Sequence, residues 1–236
     1  MLSAVHYLPI LTTAMSVLFV SSLFRRWSVK HSPHLGWWAI GITTYGLGTA
    51  IESSITLFGN SVALTKAWYI AGALLGGYPL AQGSLYLSWP RRTANVLTAI
   101  SLTFVIAAGV LVVLSPVDAG ALEATRPSGA ILAWKWVRLL TPFINLYAVF
   151  FLIGGAAMSA WRHYKYRGHK YRAAGNALIA LGAIMPGIGG GFAKAGFVEA
   201  LYVGECVGLM VIWLGDRVCS REQVVPVRRA EQVAQA

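Results

Sequence analysis

Three glutamates lie inside long apolar stretches of this sequence, where ionisable side chains are rare: Glu52, Glu199 and Glu205. A charged group at the centre of a membrane helix costs about 2.5–3.5 kcal/mol on translocon scales, so such residues commonly mark functional sites. Burial in an apolar environment favours the neutral form of a carboxyl group, which prepares it to exchange a proton near neutral pH. The three glutamates are therefore the first candidates for binding a proton, an ion or a small polar ligand.

Other polar residues share a helical face with these glutamates, since four apolar runs each carry one polar row at helical spacing. The rows are Tyr45, Thr49, Glu52 and Thr56; Tyr78, Gln82 and Tyr86; Arg138, Thr141 and Asn145; and Glu199, Tyr202 and Glu205. Lipid cannot satisfy polar groups, so we expect the rows to turn inward and meet. Gln82, Asn145 and Tyr202 would then orient a bound species, and Arg138 or Lys194 would balance its charge.

Structural roles compete with binding for most of these residues. Glu52 and Glu205 can act as hydrogen-bonded contacts between helices. Lys66, Arg138 and Lys194 stand at the ends of apolar runs, where long cationic side chains snorkel to the interface. Both interpretations stay open on the sequence alone.

Glycine and hydroxyl residues predict how the helices pack. The spacings Gly72-x3-Gly76 and Gly204-x3-Gly208 indicate close contacts between helices. The glycine-rich stretch 187–191 lacks the Lys-Ser/Thr of a phosphate-binding loop and is interpreted as a flexible turn. The apolar run 94–114 carries only Asn95 and hydroxyls, so we expect it to face lipid.

Seven apolar runs of about membrane-spanning length supply the helices that would position these residues. The runs are 6–24, 35–58, 66–88, 94–114, 137–160, 174–192 and 196–215. Hydrophobic residues make up 57% of the chain and charged residues 11%, which excludes a disordered chain and disfavours a soluble enzyme. Open strands are excluded in lipid because their unpaired backbone groups cost several kcal/mol each. We predict an all-α bundle of seven transmembrane helices over residues 1–216, followed by a short polar cytoplasmic tail over 217–236.

The distribution of cations predicts the orientation of this bundle. The chain has 19 Lys and Arg against 8 Asp and Glu, a net charge of +11. If the N-terminus is outside, 14 of the 19 lie on the inner side, namely Arg25, Arg26, Lys30, Arg91, Arg92, Arg162, Lys165, Arg167, Lys170, Arg172, Arg217, Arg221, Arg228 and Arg229. The positive-inside rule therefore gives N-outside and C-inside, and the tryptophans at the run ends agree with these boundaries. The basic segments are predicted to contact anionic lipids of the inner leaflet, and no nucleic-acid partner is expected.

Motifs of catalysis and cofactor binding are missing from the sequence. It contains no His-Glu-x-x-His, no Gly-x-Ser-x-Gly and no Walker pattern, and its two cysteines, Cys206 and Cys219, are predicted to lie at different depths. A retinal pigment is rejected, because the only lysine near the last run, Lys194, precedes it. We therefore predict no metal, no cofactor and no catalytic group.

Two segments of the sequence, residues 35–52 and 67–87, resemble segments of known protein families. Over most of the chain the sequence resembles an uncharacterised bacterial family of small seven-helix integral membrane proteins, which implies a location in the bacterial cytoplasmic membrane. Over about two helices it also resembles the seven-helix sensory region of bacterial histidine kinases. No phospho-acceptor helix or ATP-binding domain follows Asp216, so the second resemblance implies that any signal passes to a separate partner protein.

The function that these observations predict is non-enzymatic. A polar interior in the outer half of the bundle would bind a small ligand, an ion or a proton, in sensing or in permeation. One alternative is an accessory or structural subunit of a larger membrane complex, with the polar rows as contacts between helices. A second is a membrane enzyme acting on a lipid or quinone, with paired carboxylates as acid and base.

Overall fold

The computed structural model describes residues 4–167 and 169–234, with the side chains of Arg167, Lys194 and residues 221–234 outside that description. The chain is 86% helical and has no strand among these residues, which confirms the all-α prediction. The described residues form seven helical runs, with 62–88 counted as one run. Four helices are long and apolar enough to cross a membrane: Ala4–Lys30, Arg91–Leu114, Lys135–Tyr166 and Lys170–Ala193. A membrane protein is therefore the class that the architecture supports.

Two compact units divide the chain, Met1–Leu152 and Ile153–Ala236. The helices of the first unit are α1 (Leu8–Lys30), α2 (Pro33–Phe58), α3 (Val62–Trp68), α4 (Tyr78–Ser88), α5 (Arg91–Leu114) and α6 (Leu140–Ala148). Wider π-helical turns follow α3 at Tyr69–Leu74 and α6 at Val149–Gly154. A 3₁₀ turn, Lys135–Leu139, precedes α6.

The third predicted run, 66–88, is not one continuous helix. It is interrupted at 75–77, between the π-helical turn and α4. Pro79 lies in the first turn of α4, where proline is tolerated because its missing N–H would have no partner within the helix. The Thr44 hydroxyl of α2 shares its proton between the Gly41 carbonyl of its own helix at 3.0 Å and the Leu75 carbonyl at the interruption at 3.2 Å. The break is thus held against α2.

The segment 115–134 covers one end of the first unit. We call this end of the unit the capped end. Ile131 and Leu132 of this segment are each 1% exposed and belong to the core of the unit. Asn60, in the connection between α2 and α3, donates from Nδ2 to the carbonyls of Glu123 at 2.7 Å and Arg126 at 3.0 Å. The segment is therefore both packed against the core and hydrogen-bonded to the connection between α2 and α3.

The core of the first unit joins this segment to the helices beneath it. Its buried members are Tyr69, Leu74, Tyr78, Val105, Ala108, Val112, Ile131, Leu132, Val137 and Ile144. α5 contributes one side of itself to this core, through Val105, Ala108 and Val112, while its other apolar side chains are largely exposed. The exposed side of α5 agrees with the lipid-facing position expected for the run 94–114.

The second unit contains α7 (Gly155–Arg162), a π-helical turn (His163–Arg167), α8 (Lys170–Lys194) and α9 (Glu199–Ala234). α8 and α9 pack closely from Gly189 against Leu201 to Gly175 against Cys219. A β-carbon added at Gly204 would lie 2.7 Å from the Met185 carbonyl, and one at Gly208 would lie 2.7 Å from that of Gly182. The close contact predicted from Gly204-x3-Gly208 is therefore confirmed.

Two expectations for the second unit need correction or extension. The interpretation of 187–191 as a flexible turn is wrong, because the stretch is helical and belongs to α8. Its Gly189 lies against the backbone of α9, where a β-carbon would come within 2.9 Å of the Leu201 Cα, so the glycine serves packing rather than a bend. α9 continues to Ala234, so the predicted tail 217–236 is helical over most of its length.

Candidate functional site

Glu52 is the most deeply buried carboxyl residue of the first unit. It lies on the inner face of α2, is 1% exposed, and receives a 2.7 Å hydrogen bond at Oε1 from the indole Nε1 of Trp68. Its neighbours Thr49 and Ser53 are also buried, and the Thr49 hydroxyl lies 3.0 Å from that of Thr13 on α1. The polar row predicted on α2 therefore does face inward, with Glu52 at its centre.

The position of Glu52 along α2 places it near the capped end. Six residues separate it from Phe58, the last residue of α2, which is about 9 Å at the helical rise. Trp68 is the last residue of α3, and Asn60 lies in the connection between the two helices. The carboxyl group is thus held in the interior, close to the segment 115–134.

A second polar cluster surrounds Gln82 of α4, which is completely buried. Its Nε2 donates to the Ser101 hydroxyl at 2.8 Å and the Tyr147 hydroxyl at 3.1 Å, and its Oε1 accepts from the Thr98 hydroxyl at 3.0 Å. Tyr78 reaches the same Ser101 hydroxyl at 2.9 Å. We call these five residues the Gln82 cluster.

Hydrogen-bonding capacity within the Gln82 cluster is largely used by its own members. The Ser101 hydroxyl can donate once, to the Leu97 carbonyl at 2.7 Å, and it accepts from both Gln82 and Tyr78. A satisfied polar network of this kind fixes the packing of neighbouring helices, here α4, α5 and α6. In this conformation Gln82 holds helices together rather than presenting its amide to a ligand.

Glu52 and the Gln82 cluster do not form a single site. Trp68, which contacts Glu52, is the last residue of α3, whereas Gln82 lies in α4, on the other side of the interruption at 75–77. The Tyr69 hydroxyl lies 2.7 Å from that of Thr141, between these two levels of the run. Tyr86 bonds Asn95 at 2.8 Å beyond the Gln82 cluster.

The row predicted on the fifth run reaches the interior only in part. Thr141 faces Tyr69, but Arg138 and Asn145 are exposed, so the structure does not bring them to Glu52 or to the Gln82 cluster. Arg138 lies in the 3₁₀ turn Lys135–Leu139, which advances at three residues per turn and changes the angular phase of the row. The buried side of α6 is instead formed by Ile144 and Ala148.

The predicted residues of the second unit occupy different environments. Tyr202 is 2% exposed and Glu205 is half-buried, both on α9. Glu199 is exposed at the first residue of α9, where a carboxylate stabilises the helix dipole. The side chain of Lys194 lies outside the described residues. The meeting of this row with the rows of the first unit stays a prediction.

Several residues with clear roles were missed or assigned otherwise from the sequence. Trp68 was interpreted only as an interfacial anchor, although a buried indole N–H usually needs an acceptor, and that need is the signal that could have found it. Thr98 and Tyr147 carried no distinctive spacing. The Lys66 ammonium donates to the carbonyls of Val113 at 2.8 Å and Ser115 at 2.7 Å, at the end of α5.

No group of three or more potential metal ligands comes together among the residues that the structure describes. Comparison with known proteins adds no identity, since no family model, no curated protein and no solved structure matches the chain.

Proposed function

We propose that the chain is a non-enzymatic membrane protein that takes up a proton at Glu52, in sensing or in permeation. The proposal includes seven spans in a bacterial cytoplasmic membrane, with the N-terminus outside and the C-terminus in the cytoplasm. The observation that carries it is the burial of the Glu52 carboxyl group, 1% exposed, beneath an indole donor at 2.7 Å.

Chemical reasons favour a proton over a larger ligand at this position. A carboxylate in an apolar interior lacks the hydration that it has in water. Burial therefore favours the neutral, protonated form of a carboxyl group over the charged form. Of the other predicted ligand residues in the same unit, Gln82 is engaged with its own cluster, and Arg138 and Asn145 are exposed. Exchange of a proton needs none of these side chains and no space for a bound molecule.

The location near the capped end supports a coupling between protonation and the segment 115–134. Asn60 holds this segment through two carbonyls and follows α2 by only two residues. A change in the charge of Glu52 alters the electrostatic field at the end of α2, from which the connection with Asn60 continues. In the proposed orientation, the capped end faces the outside.

Infrared difference spectroscopy of the full chain in lipid nanodiscs, titrated with acid and base, tests the proposal. We expect a carboxyl C=O band that grows with falling pH, is present in wild type and is missing in Glu52→Gln. The isosteric glutamine keeps an oxygen that can accept from Trp68, so the variant should fold. Glu199→Gln, at an exposed carboxylate, is the matched control and should keep the band.

Two results would contradict the proposal. A carboxyl band that persists unchanged in Glu52→Gln would assign the proton to another group. A spectrum without any titrating carboxyl band in wild type, with the protein folded, would leave Glu52 as a contact between helices and favour the accessory-subunit alternative.

A further inference from the structure

The connection between α7 and α8 combines strong positive charge with exposed aromatic rings. We define the basic aromatic patch as Trp161, Arg162, Lys165, Tyr166, Lys170 and Tyr171. Its three rings are 50%, 66% and 56% exposed in chain order, and its three cations are exposed as well. No carboxylate occurs in the sequence between Glu123 and Glu199.

The π-helical turn His163–Arg167 arranges the centre of the patch. A π-turn brings residues five apart onto one side, and the rings of Trp161 and Tyr166 meet edge to face with centroids 5.5 Å apart. The Lys165 ammonium lies 5.2 Å from the Trp161 centroid and 5.3 Å from the Tyr166 centroid. Two aromatic faces thus hold one cation at the surface, where a cation–π contact is worth about 0.5–1 kcal/mol.

Two helices of membrane-spanning length end at this patch, Lys135–Tyr166 and Lys170–Ala193. A helix that crosses a bilayer places its ends at the level of the lipid headgroups. Tryptophan and tyrosine rings settle at that level, and lysine and arginine there attract anionic headgroups with about 1 kcal/mol each. The charge of the patch is complementary to a phosphate group, and its rings are complementary to the interfacial layer.

We propose that the basic aromatic patch binds the headgroup of an anionic phospholipid. Arg162 and Lys165 pair with the phosphate, while Trp161 and Tyr166 keep Lys165 extended toward it and cover the adjoining glycerol region. Exposed rings beside cations also suit single-stranded nucleic acid. The position of the patch at the ends of two membrane-length helices favours the lipid.

Binding is measured with the full chain in phosphatidylcholine nanodiscs that contain increasing fractions of phosphatidylglycerol, followed by mass spectrometry of the lipids that remain bound after gentle extraction. We expect wild type to retain phosphatidylglycerol above its bulk fraction. Lys165→Ala should raise the phosphatidylglycerol fraction at half-occupancy about fivefold, which corresponds to about 1 kcal/mol per cation. Lys165→Arg should restore wild-type retention, and Trp161→Leu should weaken it.

The matched control is Arg91→Ala with Arg92→Ala, which removes two exposed cations from the start of α5. These changes remove the same number of cations without touching the contacts of Lys165 with Trp161 and Tyr166, so they should weaken retention less than Arg162→Ala with Lys165→Ala, which should abolish it. The proposal is overturned if the two double variants behave alike, or if phosphatidylcholine is retained as well as phosphatidylglycerol. It is also overturned if free phosphate or a single-stranded oligonucleotide binds the patch while the lipid does not.

Discussion

The amide nitrogen of Gln82 donates to the hydroxyl of Ser101 at 2.8 Å and thereby ties α4 to α5 inside the first unit. Replacement of this amide by an apolar side chain leaves the hydroxyls of Thr98 and Tyr147 without their partner. We expect Gln82→Leu to lower the free energy of unfolding by about 1–3 kcal/mol, measured by denaturant titration in detergent. Asn145→Leu is the matched control, since Asn145 is exposed, and should change stability by no more than about 0.5 kcal/mol. Equal losses in the two variants would show that the Gln82 cluster contributes nothing specific.

The indole of Trp68 should stabilise the protein mainly through Glu52. Trp68→Phe removes the 2.7 Å hydrogen bond while keeping an aromatic ring, and we expect it to cost about 1–3 kcal/mol. A double-mutant cycle with Glu52→Leu measures the pair itself, because the cost of Trp68→Phe should largely vanish once the carboxyl group is gone. Additive costs in that cycle would contradict an energetic link between the two residues.

The capped end should open when Asn60 loses its donors. Asn60→Asp removes both bonds from Nδ2 to the carbonyls of Glu123 and Arg126, but keeps the oxygen that accepts from the Thr65 hydroxyl. We expect faster hydrogen–deuterium exchange in 115–134 and little change in α1. Protection of 115–134 that stays at the wild-type level would mean that its packing, rather than Asn60, holds the segment in place.

The contact between α8 and α9 should tolerate a methyl group at some glycines and reject it at others. At Gly182 a β-carbon would lie 2.7 Å from the Gly208 carbonyl, so Gly182→Ala should destabilise the protein by about 1–3 kcal/mol. At Gly190 of the same helix a β-carbon meets nothing within 4 Å. Gly190→Ala should therefore raise stability by up to about 1 kcal/mol, through helix propensity alone. Thermal unfolding of both variants checks the contrast, and a reversed order would reject the observed register of the two helices.

Acid should destabilise the first unit through His34, which precedes the second apolar run. Burial, with help from the charges of Arg26 and Lys30, lowers the pKa of His34 below its usual value of about 6.5. The unfolded chain therefore takes up this proton first, so stability is full above about pH 6.5 and falls as the pH drops below it. His34→Gln should flatten the dependence of unfolding temperature on pH in this range. The same slope in wild type and variant would assign the acid sensitivity to other groups.

The sequence predicted the inward faces of α2 and α4 correctly because a regular α-helix keeps 100° between successive residues. Glu52 and Gln82 fall on those faces and are buried. The same rule misplaced Arg138, because this residue lies in the 3₁₀ turn Lys135–Leu139 that precedes α6. Local changes of pitch leave no reliable signature in the spacing of residues.

Hydroxyl residues and breaks were the other features that spacing could not resolve. Ser101 can satisfy its own donor with the Leu97 carbonyl one turn back, so its presence in an apolar run demanded no partner on another helix. The interruption at 75–77 depends on its contacts with α2, where Gly48 lies against Gly72 and Thr44 lies against Leu75. Such contacts between distant parts of the chain are properties of the fold.

The α8–α9 pair has a consequence for biogenesis. Only four residues, 195–198, separate the two helices, and their contacts are made with each other along most of their length. A helical hairpin with so short a connection has a low contact order, and low contact order favours rapid folding. The two helices can therefore pair with each other as soon as α9 has been synthesised.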